Sequence, residues 1–343
     1  MAQNKIGVGI IGAGKAGKNF AHALQATGDA EILGICAAHE SSARAAAEAF
    51  HIPFWSDDYR TLLDNSRIQA VIVASPDAYH GEQTVAAAGA GKHILCEKPM
   101  CRSLEEADAM IEAARTNGVI LMVGFIERFS HPCADAKRRI EEGEVGVPRM
   151  ISARRCHPRS VVRNRTWLND NETGGVLSYA GTHNIDLTCW FMDSAPMRVY
   201  AEMGQLILKD QHFTDCAVVT MQFPGNSMAV LYETFAYPEN YPQSVDRSFE
   251  IMGDRGVILI DFMNQPLRFF SREKWEVADS VTWPSVYGKP GGALLTEVEH
   301  FLRCVREGRE PLAGGAEGRL ALEIAIAARR AADSGKAISV RSP

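Results

Sequence analysis

The fold of this chain is decided by the stretch Ile6-Gly7-Val8-Gly9-Ile10-Ile11-Gly12-Ala13-Gly14-Lys15-Ala16-Gly17. An apolar strand-like segment runs into a G-x-G-x-x-G loop, and a stretch of helical composition follows, an order that a mere cluster of turn glycines would lack. Gly12 permits a tight turn, Gly14 lets the backbone approach a pyrophosphate, and Gly17 allows close packing of strand and helix. The amino terminus of the helix offers N–H groups to the anion. We therefore predict a dinucleotide site whose contacts are Gly12, Gly14, Lys15, Ala16 and Gly17.

The same alternation continues to about residue 124. Apolar segments rich in Val and Ile alternate with segments rich in Ala, Glu and Arg, which favour helices. Continuous apolar strands separated by helices indicate a parallel sheet that is buried on both faces. This half is predicted to be a doubly wound α/β domain with strands at residues 6–11, 31–36, 70–74, 93–97 and 119–124.

The pattern changes after about residue 125. A connecting helix at residues 132–143 is followed by strand-like segments, and turn signals such as Pro224-Gly225-Asn226 separate neighbours. Such hairpins predict a mostly antiparallel sheet. Helical stretches at residues 175–191, 292–306 and 317–334 interrupt and close this half. We expect residues 1–125 to form the dinucleotide-binding domain and residues 126–343 to form an α+β domain.

The composition excludes several classes of protein. Of the 343 residues 46% are hydrophobic and 23% charged, a balance that rules out disordered and collagen-like chains. The net charge of −6 provides no field that would attract nucleic acid or anionic lipid. No apolar run is long enough to cross a bilayer, and the eight cysteines show no C-x-x-C spacing. We expect a cytoplasmic protein with reduced thiols, no metal site, and neither nucleic acid nor a membrane as partner.

The end of the second predicted strand bears on the choice of cofactor. An acidic residue about 20 positions beyond the glycine loop commonly holds the ribose hydroxyls of NAD. Here that position is Ala37, so no carboxylate repels a 2′-phosphate. His39 and Arg44 are close enough in sequence to contact such a phosphate, whereas Glu40 could take over the ribose contact. The predicted cofactor is NAD or NADP, with NADP slightly favoured.

A lysine follows the strand predicted at residues 93–97, in the segment Cys96-Glu97-Lys98-Pro99. This end of a strand is where an open α/β sheet binds its ligand. A cation beside a substrate hydroxyl favours the alkoxide character that develops as hydride leaves the carbon. A solvated surface residue is the alternative interpretation of Lys98.

Further segments stand in order along the chain, at residues 74–80, 124–129 and 174–186. Together with the glycine loop and Glu97-Lys98-Pro99 they resemble the Gfo/Idh/MocA oxidoreductase family, which includes inositol dehydrogenases and glucose–fructose oxidoreductase. The similarity covers essentially the whole chain. It implies an amino-terminal Rossmann domain, NAD(P) as cofactor and a sugar or cyclitol as substrate. It also implies a second domain with a large open sheet that forms oligomer contacts, so we expect a homodimer or a homotetramer.

The resemblance also assigns roles to single residues. Lys98 matches the family's active-site lysine, and His183 matches its acid/base histidine, with a packing role as the alternative for His183. Imidazole suits proton exchange because its ordinary pKa of about 6.5 allows donation and acceptance near neutral pH. Arg128 matches a substrate-contacting arginine, or else it supports the joint between the domains. Further cofactor contacts are predicted at Ser75, Pro76, His80, Glu97 and Lys98.

One position departs from the family pattern. Many members carry an aspartate four residues before the histidine, where this chain has Tyr179. Since residues i and i+4 share a helix face, we expect Tyr179 to point towards His183 and to hydrogen-bond the substrate, share proton transfer or serve as a wall. The arginine-rich segment before it suggests an acidic or heavily hydroxylated ligand, because guanidinium pairs with such groups. The candidate substrate contacts there are His157, Arg165 and Trp167, which are alternatively surface, interface or core residues.

Three functions remain open at this stage. The leading hypothesis is hydride transfer between a nicotinamide cofactor and a secondary alcohol of a sugar, sugar derivative or cyclitol. The second is an enzyme that retains its cofactor and cleaves glycosides through transient oxidation. The third is a dinucleotide-binding sensor without chemistry, against which the presence of both Lys98 and His183 counts.

Overall fold

The computed structural model describes residues 5–163, 175–265, 267–270 and 275–340. Contacts divide the chain into two compact units, Met1–Ser130 with Val281–Arg319 and His131–Ser280 with Leu320–Pro343. The sequence-based division assigned residues 281–319 to the second domain, whereas in the structure they fold into the first unit. The helix at residues 292–307 carries an apolar stripe that includes Leu294, Val298 and Phe301. These side chains are buried in the core of the first unit, and they hold the segment there.

The strands and helices are numbered in chain order. The strands are β1 (Ile6–Ile11), β2 (Ala30–Cys36), β3 (Trp55–Ser56), β4 (Ala70–Val73), β5 (His93–Glu97), β6 (Leu121–Gly124), β7 (Pro148–Pro158), β8 (Arg198–Gly204), β9 (Cys216–Gln222), β10 (Met228–Tyr237), β11 (Asp246–Gly253), β12 (Val257–Asp261), β13 (Arg268–Phe270), β14 (Trp275–Val277), β15 (Ser285–Val286), β16 (Lys289–Pro290) and β17 (Ile338–Ser339). The helices are α1 (Lys15–Thr27), α2 (Glu40–Phe50), α3 (Arg60–Leu63), α4 (His80–Gly89), α5 (Leu104–Asn117), α6 (His131–Glu141), α7 (Thr182–Met192), α8 (Gly292–Glu307) and α9 (Gly315–Ser334). Across the described ranges, no helix is both long enough and apolar enough to cross a membrane.

The first unit is built on a parallel sheet with the strand order β3-β2-β1-β4-β5-β6. Every residue of β1 and β4 is buried, because helices cover both faces of the sheet. Helix α1 places Phe20, Ala21 and Leu24 in this core. The prediction of a doubly wound parallel sheet is confirmed. The pattern did not predict β3 or α3, which are too short to show a period.

The order of this sheet reverses between β1 and β4, which are adjacent although β2 and β3 lie between them in sequence. A reversal of this kind opens a crevice at the carboxyl ends of the two strands, where α/β sheets bind ligands. The segment after β1 is the glycine loop, and the segment after β4 begins at Ala74. Topology therefore brings two of the predicted cofactor-binding segments to one edge.

The second unit contains a sheet with the order β12-β11-β7-β10-β9-β8-β17. Its neighbouring strands run antiparallel except β7 and β10, which are parallel. The predicted α+β domain with a large, mostly antiparallel sheet is confirmed. No hairpin signal predicts the parallel pair, because β7 and β10 are far apart in sequence.

The two faces of this second sheet differ in burial. Alternate side chains of a strand point to opposite faces. On one face Ile151, Leu231 and Ile251 are fully buried. On the other face apolar side chains, among them Tyr232 and Leu259, are exposed.

Candidate active site

The glycine loop between β1 and α1 has the backbone that its sequence predicts. Gly12 has φ +114°, a conformation that residues with a side chain rarely adopt. A Cβ atom on Gly12 would lie 2.4 Å from the carbonyl oxygen of Ala74, and one on Gly17 would lie 1.8 Å from the carbonyl oxygen of Gly12. Both glycines are therefore required by the close approach of loop, helix and neighbouring strand.

Gly14 is a different case, because a Cβ atom there would meet no described atom within 4 Å. Gly14 is exposed and directly precedes α1, with Lys15 exposed and Ala16 half-buried in the first helical turn. A side chain at Gly14 would stand in front of the N–H groups that a helix start offers to an anion. The protein itself does not need glycine here, whereas a pyrophosphate does, so the residues present fit a dinucleotide.

The end of β2 presents no carboxylate of its own. Ala37 directly follows β2 and its N–H donates to the carbonyl oxygen of Ser56, while His39 is an exposed residue at the start of α2. Burial, together with the charges of Asp58 and Asp57, raises the pKa of the neighbouring Cys36 thiol to about 12. Two carboxylates from the segment after β3 therefore act electrostatically at the end of β2.

The segment after β4 carries the predicted contacts Ser75, Pro76 and His80. Pro76 is exposed, and the Ser75 hydroxyl donates to Oε1 of Gln83 at 2.6 Å. His80 is buried, with Nδ1 2.9 Å from the carbonyl oxygen of Pro99 and Nε2 2.9 Å from that of Ser75. Burial lowers the pKa of the imidazole, although these two carbonyl oxygens act in the opposite direction. His80 thus joins the segment after β4 to the segment after β5.

The predicted catalytic lysine follows β5 at the same edge of the sheet. Lys98 is half-buried, and its backbone N–H donates to Oε2 of Glu97 at 3.0 Å. Burial raises the pKa of the Glu97 carboxyl, while the charge of Lys98 and this hydrogen bond lower it. The positive charge of Lys98 thus acts on the Glu97 carboxyl at this edge of the sheet.

Two further acidic residues lie near Glu97 within the first unit. Glu127 is buried in the short 3-10 helix Ile126–Phe129 that follows β6, and Glu297 is buried on α8, which packs against that 3-10 helix. Burial raises the pKa of Glu297 well above its ordinary value, and the charges of Glu97 and Glu127 raise it further. The charges of Glu97 and Glu127 thus both act on the buried Glu297 carboxyl.

Arg128 is buried in the same 3-10 helix. Its Nη1 donates to the carbonyl oxygen of Leu312 at 2.7 Å. This bond ties the segment after β6 to residues 281–319 within the first unit. The bond lies within one unit, so both roles predicted for Arg128, contact with the substrate and support of the joint between the domains, stay predictions.

In the second unit, His183 lies in the first turn of α7 and is buried. Tyr179 lies in a π-helical turn, Leu177–Gly181, that directly precedes α7. A π-turn pairs the backbone of residue i with that of i+5 rather than i+4, and the expectation that Tyr179 points towards His183 stays a prediction. Tyr179 is half-buried, and its ring centroid lies 6.1 Å from that of Phe235.

The remaining predicted substrate contacts precede this turn. His157, on β7, is half-buried, with Nδ1 2.8 Å from the carbonyl oxygen of Ser244 and its ring 5.7 Å from that of Phe235. Arg165 and Trp167 lie outside the described residues. In the part of the chain that is described, no group of three or more His, Cys, Asp or Glu side chains is arranged to hold a metal ion.

The buried glutamates Glu127, Glu233 and Glu297 were not among the residues predicted from the sequence. Glu233 shares the inward side of β10 with Leu231 and Phe235, and Glu297 interrupts the apolar stripe of α8. Both interruptions of apolar periodicity are visible in the sequence. An acidic residue on the apolar side of a predicted strand or helix is therefore the sequence feature from which these glutamates could have been predicted.

Comparison with known proteins agrees with this geometry. Residues 6–125 match the oxidoreductase family described as having an NAD-binding Rossmann fold, and residues 137–340 match its C-terminal alpha/beta domain. The chain is 32% identical over 262 residues to the uncharacterised oxidoreductase YrbE of Bacillus subtilis, covering 75% of this chain and 74% of the relative. It is 25% identical over 340 residues to myo-inositol 2-dehydrogenase of Thermotoga maritima, covering 97% and 98%.

The fold also matches solved structures. The crystal structure of scyllo-inositol dehydrogenase from Lactobacillus casei, with bound NAD(H) and scyllo-inositol, superposes with a TM-score of 0.84 at 20% identity and covers 99% of this chain and 100% of that one. At this identity the likeness concerns the fold alone. Because the two domain models of one family together match residues 6–125 and 137–340, most of the chain, the protein belongs to the Gfo/Idh/MocA oxidoreductase family.

Proposed function

We propose that the protein transfers hydride between NAD(H) and a secondary alcohol of a sugar, a sugar derivative or a cyclitol. The observation that carries the proposal is that the glycine loop after β1 and Lys98 after β5 lie at the carboxyl edge of one parallel sheet. Relatives that act on myo-inositol and scyllo-inositol support a polyhydroxylated substrate. The comparisons do not favour the glycoside-cleaving enzyme or the sensor.

The chain's own residues would accept the proton of the substrate hydroxyl and stabilise the negative charge that develops on its oxygen. Nicotinamide, when bound, supplies the hydride acceptor. In the first unit, the Lys98 ammonium group donates a hydrogen bond to the substrate oxygen and stabilises its developing negative charge. In the second unit, His183 accepts the hydroxyl proton, and Tyr179 hydrogen-bonds the substrate.

NAD(H) fits the electrostatics at the end of β2 better than NADP(H). Arg44, one candidate for binding a 2′-phosphate, is engaged with Glu48 of its own helix, with Nε 2.9 Å from Oε1. Asp57 and Asp58 act at the end of β2 and would repel a phosphate there. The slight preference for NADP predicted from Ala37 alone therefore gains no support.

The test is a cofactor-reduction screen of the purified protein against monosaccharides, cyclitols, uronic acids and glycosides, run with NAD and NADP separately. Reduction of NAD by one group of polyols is the expected result. Lys98→Ala should lower kcat by about a hundredfold or more while NAD affinity stays near that of the wild type. Lys289→Ala, which removes an exposed lysine of the same unit, is the matched control.

Two outcomes would contradict this proposal. One is a wild-type protein that binds NAD but reduces it with no compound of the panel. The other is a folded Lys98→Ala variant with the turnover of the wild type. Release of an aglycone without net NADH would instead identify the glycoside-cleaving alternative.

We further propose that the protein forms a homodimer or homotetramer through the exposed face of the second-unit sheet. Val218, Tyr232 and Leu259 are exposed on that face, and an apolar patch of this kind commonly marks an interaction surface. Light scattering should give a multiple of 37.5 kDa for the wild type and a smaller mass for Tyr232→Glu/Leu259→Glu. A wild-type mass of 37.5 kDa would refute the assembly.

A further inference from the structure

Glu233 is an acidic residue buried in the core of the second unit. It lies on β10 between Leu231 and Phe235 on the inward side of the strand, and its exposure to water is 0%. Burial raises the pKa of its carboxyl to about 8, although the charge of Arg155 and a hydrogen bond from Asn184 lower it. Burying a carboxyl costs free energy unless its hydrogen bonds are satisfied. The residues around Glu233 should therefore show how its hydrogen bonds are satisfied.

The hydrogen-bond partner of Glu233 is Asn184, the residue directly after His183. Nδ2 of Asn184 donates to Oε1 of Glu233 at 2.8 Å, and both side chains are fully buried. The same carboxyl lies against the π-turn, because a Cβ atom on Gly181 would lie 3.3 Å from Cδ of Glu233. One side chain therefore contacts both the π-turn that carries Tyr179 and the first turn of α7 that carries His183.

Each partner keeps one buried oxygen atom without a hydrogen-bond partner among the described residues. These are Oε2 of Glu233 and Oδ1 of Asn184. Both can only accept when the carboxyl is ionised, so the ionised form leaves both unsatisfied. A protonated carboxyl has an O–H group, and its donation from Oε2 to Oδ1 would satisfy both atoms at once.

We propose that the protonated carboxyl of Glu233 and the amide of Asn184 form a doubly hydrogen-bonded pair that positions the π-turn and the first turn of α7, and thereby His183 and Tyr179. Glu233 is a positioning residue that acts through these side chains. The inference rests on the proposed function in assigning proton exchange to His183. It also gives a physical reason for the π-turn, a rare element that often occurs at functional sites.

The other charged and titratable groups near the pair come from every element packed on β10. Arg155 is the register partner of Glu233 on β7, and its positive charge lowers the pKa of the carboxyl. Further such groups on these elements include Cys156 and His157 on β7, Cys216 on β9, Arg159 in the turn after β7, Tyr179 on the π-turn, and His183 and Asp186 on α7, and the charge of Glu233 raises the pKa of Cys156.

The test compares two replacements of Glu233. Gln offers an oxygen acceptor and an N–H donor in place of the protonated carboxyl, so Glu233→Gln should keep kcat within about threefold of the wild type at neutral pH. Met has similar length but lacks both groups. Because small misplacements of acid/base groups are costly, Glu233→Met should lower kcat by about 10- to 100-fold while KM for NAD changes less than about twofold.

Asn184→Leu removes the other member of the pair and should lower kcat by a similar factor. Because it leaves β10 unchanged, it tests the pair even if Glu233→Met does not fold. If the two residues act as a pair, the double variant Glu233→Met/Asn184→Leu should lose no more kcat than either single variant. Fully additive losses would show that the two side chains act independently and would overturn the pair.

The pH profile separates this pair from ordinary core packing. In the wild type, ionisation of Glu233 would break the second hydrogen bond, so kcat should fall as the pH rises past about 8. Glu233→Gln cannot ionise and should lack that descending limb while keeping any limb that His183 contributes. An identical alkaline limb in the wild type and in Glu233→Gln would overturn the proposal.

A crystallographic comparison decides the pair without any activity measurement. Glu233→Gln should retain the π-turn at residues 177–181, and Glu233→Met should convert it to a regular α-helical turn or shift it. An unchanged π-turn in the crystal structure of Glu233→Met would overturn the proposal. A wild-type protein inactive against every compound would instead reject the proposed function, and the crystal structures would still decide whether the pair positions the turn.

Discussion

Replacing Glu297 by Gln should flatten the pH dependence of stability of the first unit. The Glu297 side chain is 1% exposed, and both of its carboxyl oxygens have no hydrogen-bond partner among the described residues. Burial raises its pKa well above the ordinary value, and the neighbouring carboxyl groups of Glu97 and Glu127 add to the shift. The folded protein therefore favours the protonated form of Glu297.

The sign of the effect follows from proton binding. In the unfolded chain a glutamate has a pKa of about 4.3, so above that pH the folded state binds more protons than the unfolded state. The stability linked to Glu297 is fully present below about pH 4.3 and is lost as the pH rises towards the folded pKa, by at most about 1.4 kcal/mol per pH unit. This upper limit corresponds to about 3–6 °C in Tm per pH unit for a domain of this size.

Thermal unfolding of the wild type and of Glu297→Gln at about pH 5 and about pH 8 measures this loss. The fall in Tm between the two pH values should be several degrees smaller in Glu297→Gln. Glu307→Gln, on the exposed side of the same helix, is the control and should change little, because an exposed ion pair contributes little to stability. If Glu297→Gln showed the same fall as the wild type, Glu297 would be ionised in the folded protein and the argument from burial would be wrong.

Three further predictions concern the cofactor and the acid/base residues. Gly14→Ala and Gly17→Ala should both weaken NAD binding by about tenfold or more in calorimetry, but only Gly17→Ala should lower Tm, because only its Cβ collides with the protein. Ala37→Asp should raise the ratio of kcat/KM for NAD to that for NADP, and an unchanged ratio would contradict the assignment of Ala37 to the ribose site. His183→Ala should cost about 10²–10⁴-fold in rate and Tyr179→Phe at most about tenfold, and the reverse order would exchange their roles.

The Rossmann half of the fold could be predicted because its signals are local. Runs of Val and Ile and the glycine loop each lie within a short window of sequence, and the strand bounds at Ile6–Ile11 and His93–Glu97 agree with the structure. The rules of parallel sheets then bring the ends of β1 and β5 to one edge, so the placement of Lys98 near the glycine loop's edge was also predictable. Where a motif lies within a short stretch of sequence, the identity of its residues is enough to predict its structure.

The predicted contacts differ in how well local sequence could describe them. His80 has a polar ring in a motif segment, yet the structure buries it against backbone carbonyl oxygens of two segments. The spacing of Tyr179 and His183 predicted a regular α-helical turn, and the structure has a π-helical turn at Leu177–Gly181 instead. Neither the burial of His80 nor the π-turn can be predicted from the neighbouring residues in sequence. Each depends on which distant strand or loop packs against the segment.

The tertiary structure alone decided three features of this protein. Residues 281–319 join the first unit, because the apolar stripe of α8 is complementary to that core, and the stripe itself does not say which core it covers. Glu233 and Glu297 are visible in the sequence as polar breaks in apolar patterns, but whether each is exposed, ionised or hydrogen-bonded depends on residues distant in sequence. Burial and pairing are properties of long-range packing, and the free energy of a buried carboxyl is set by that packing rather than by its sequence neighbours.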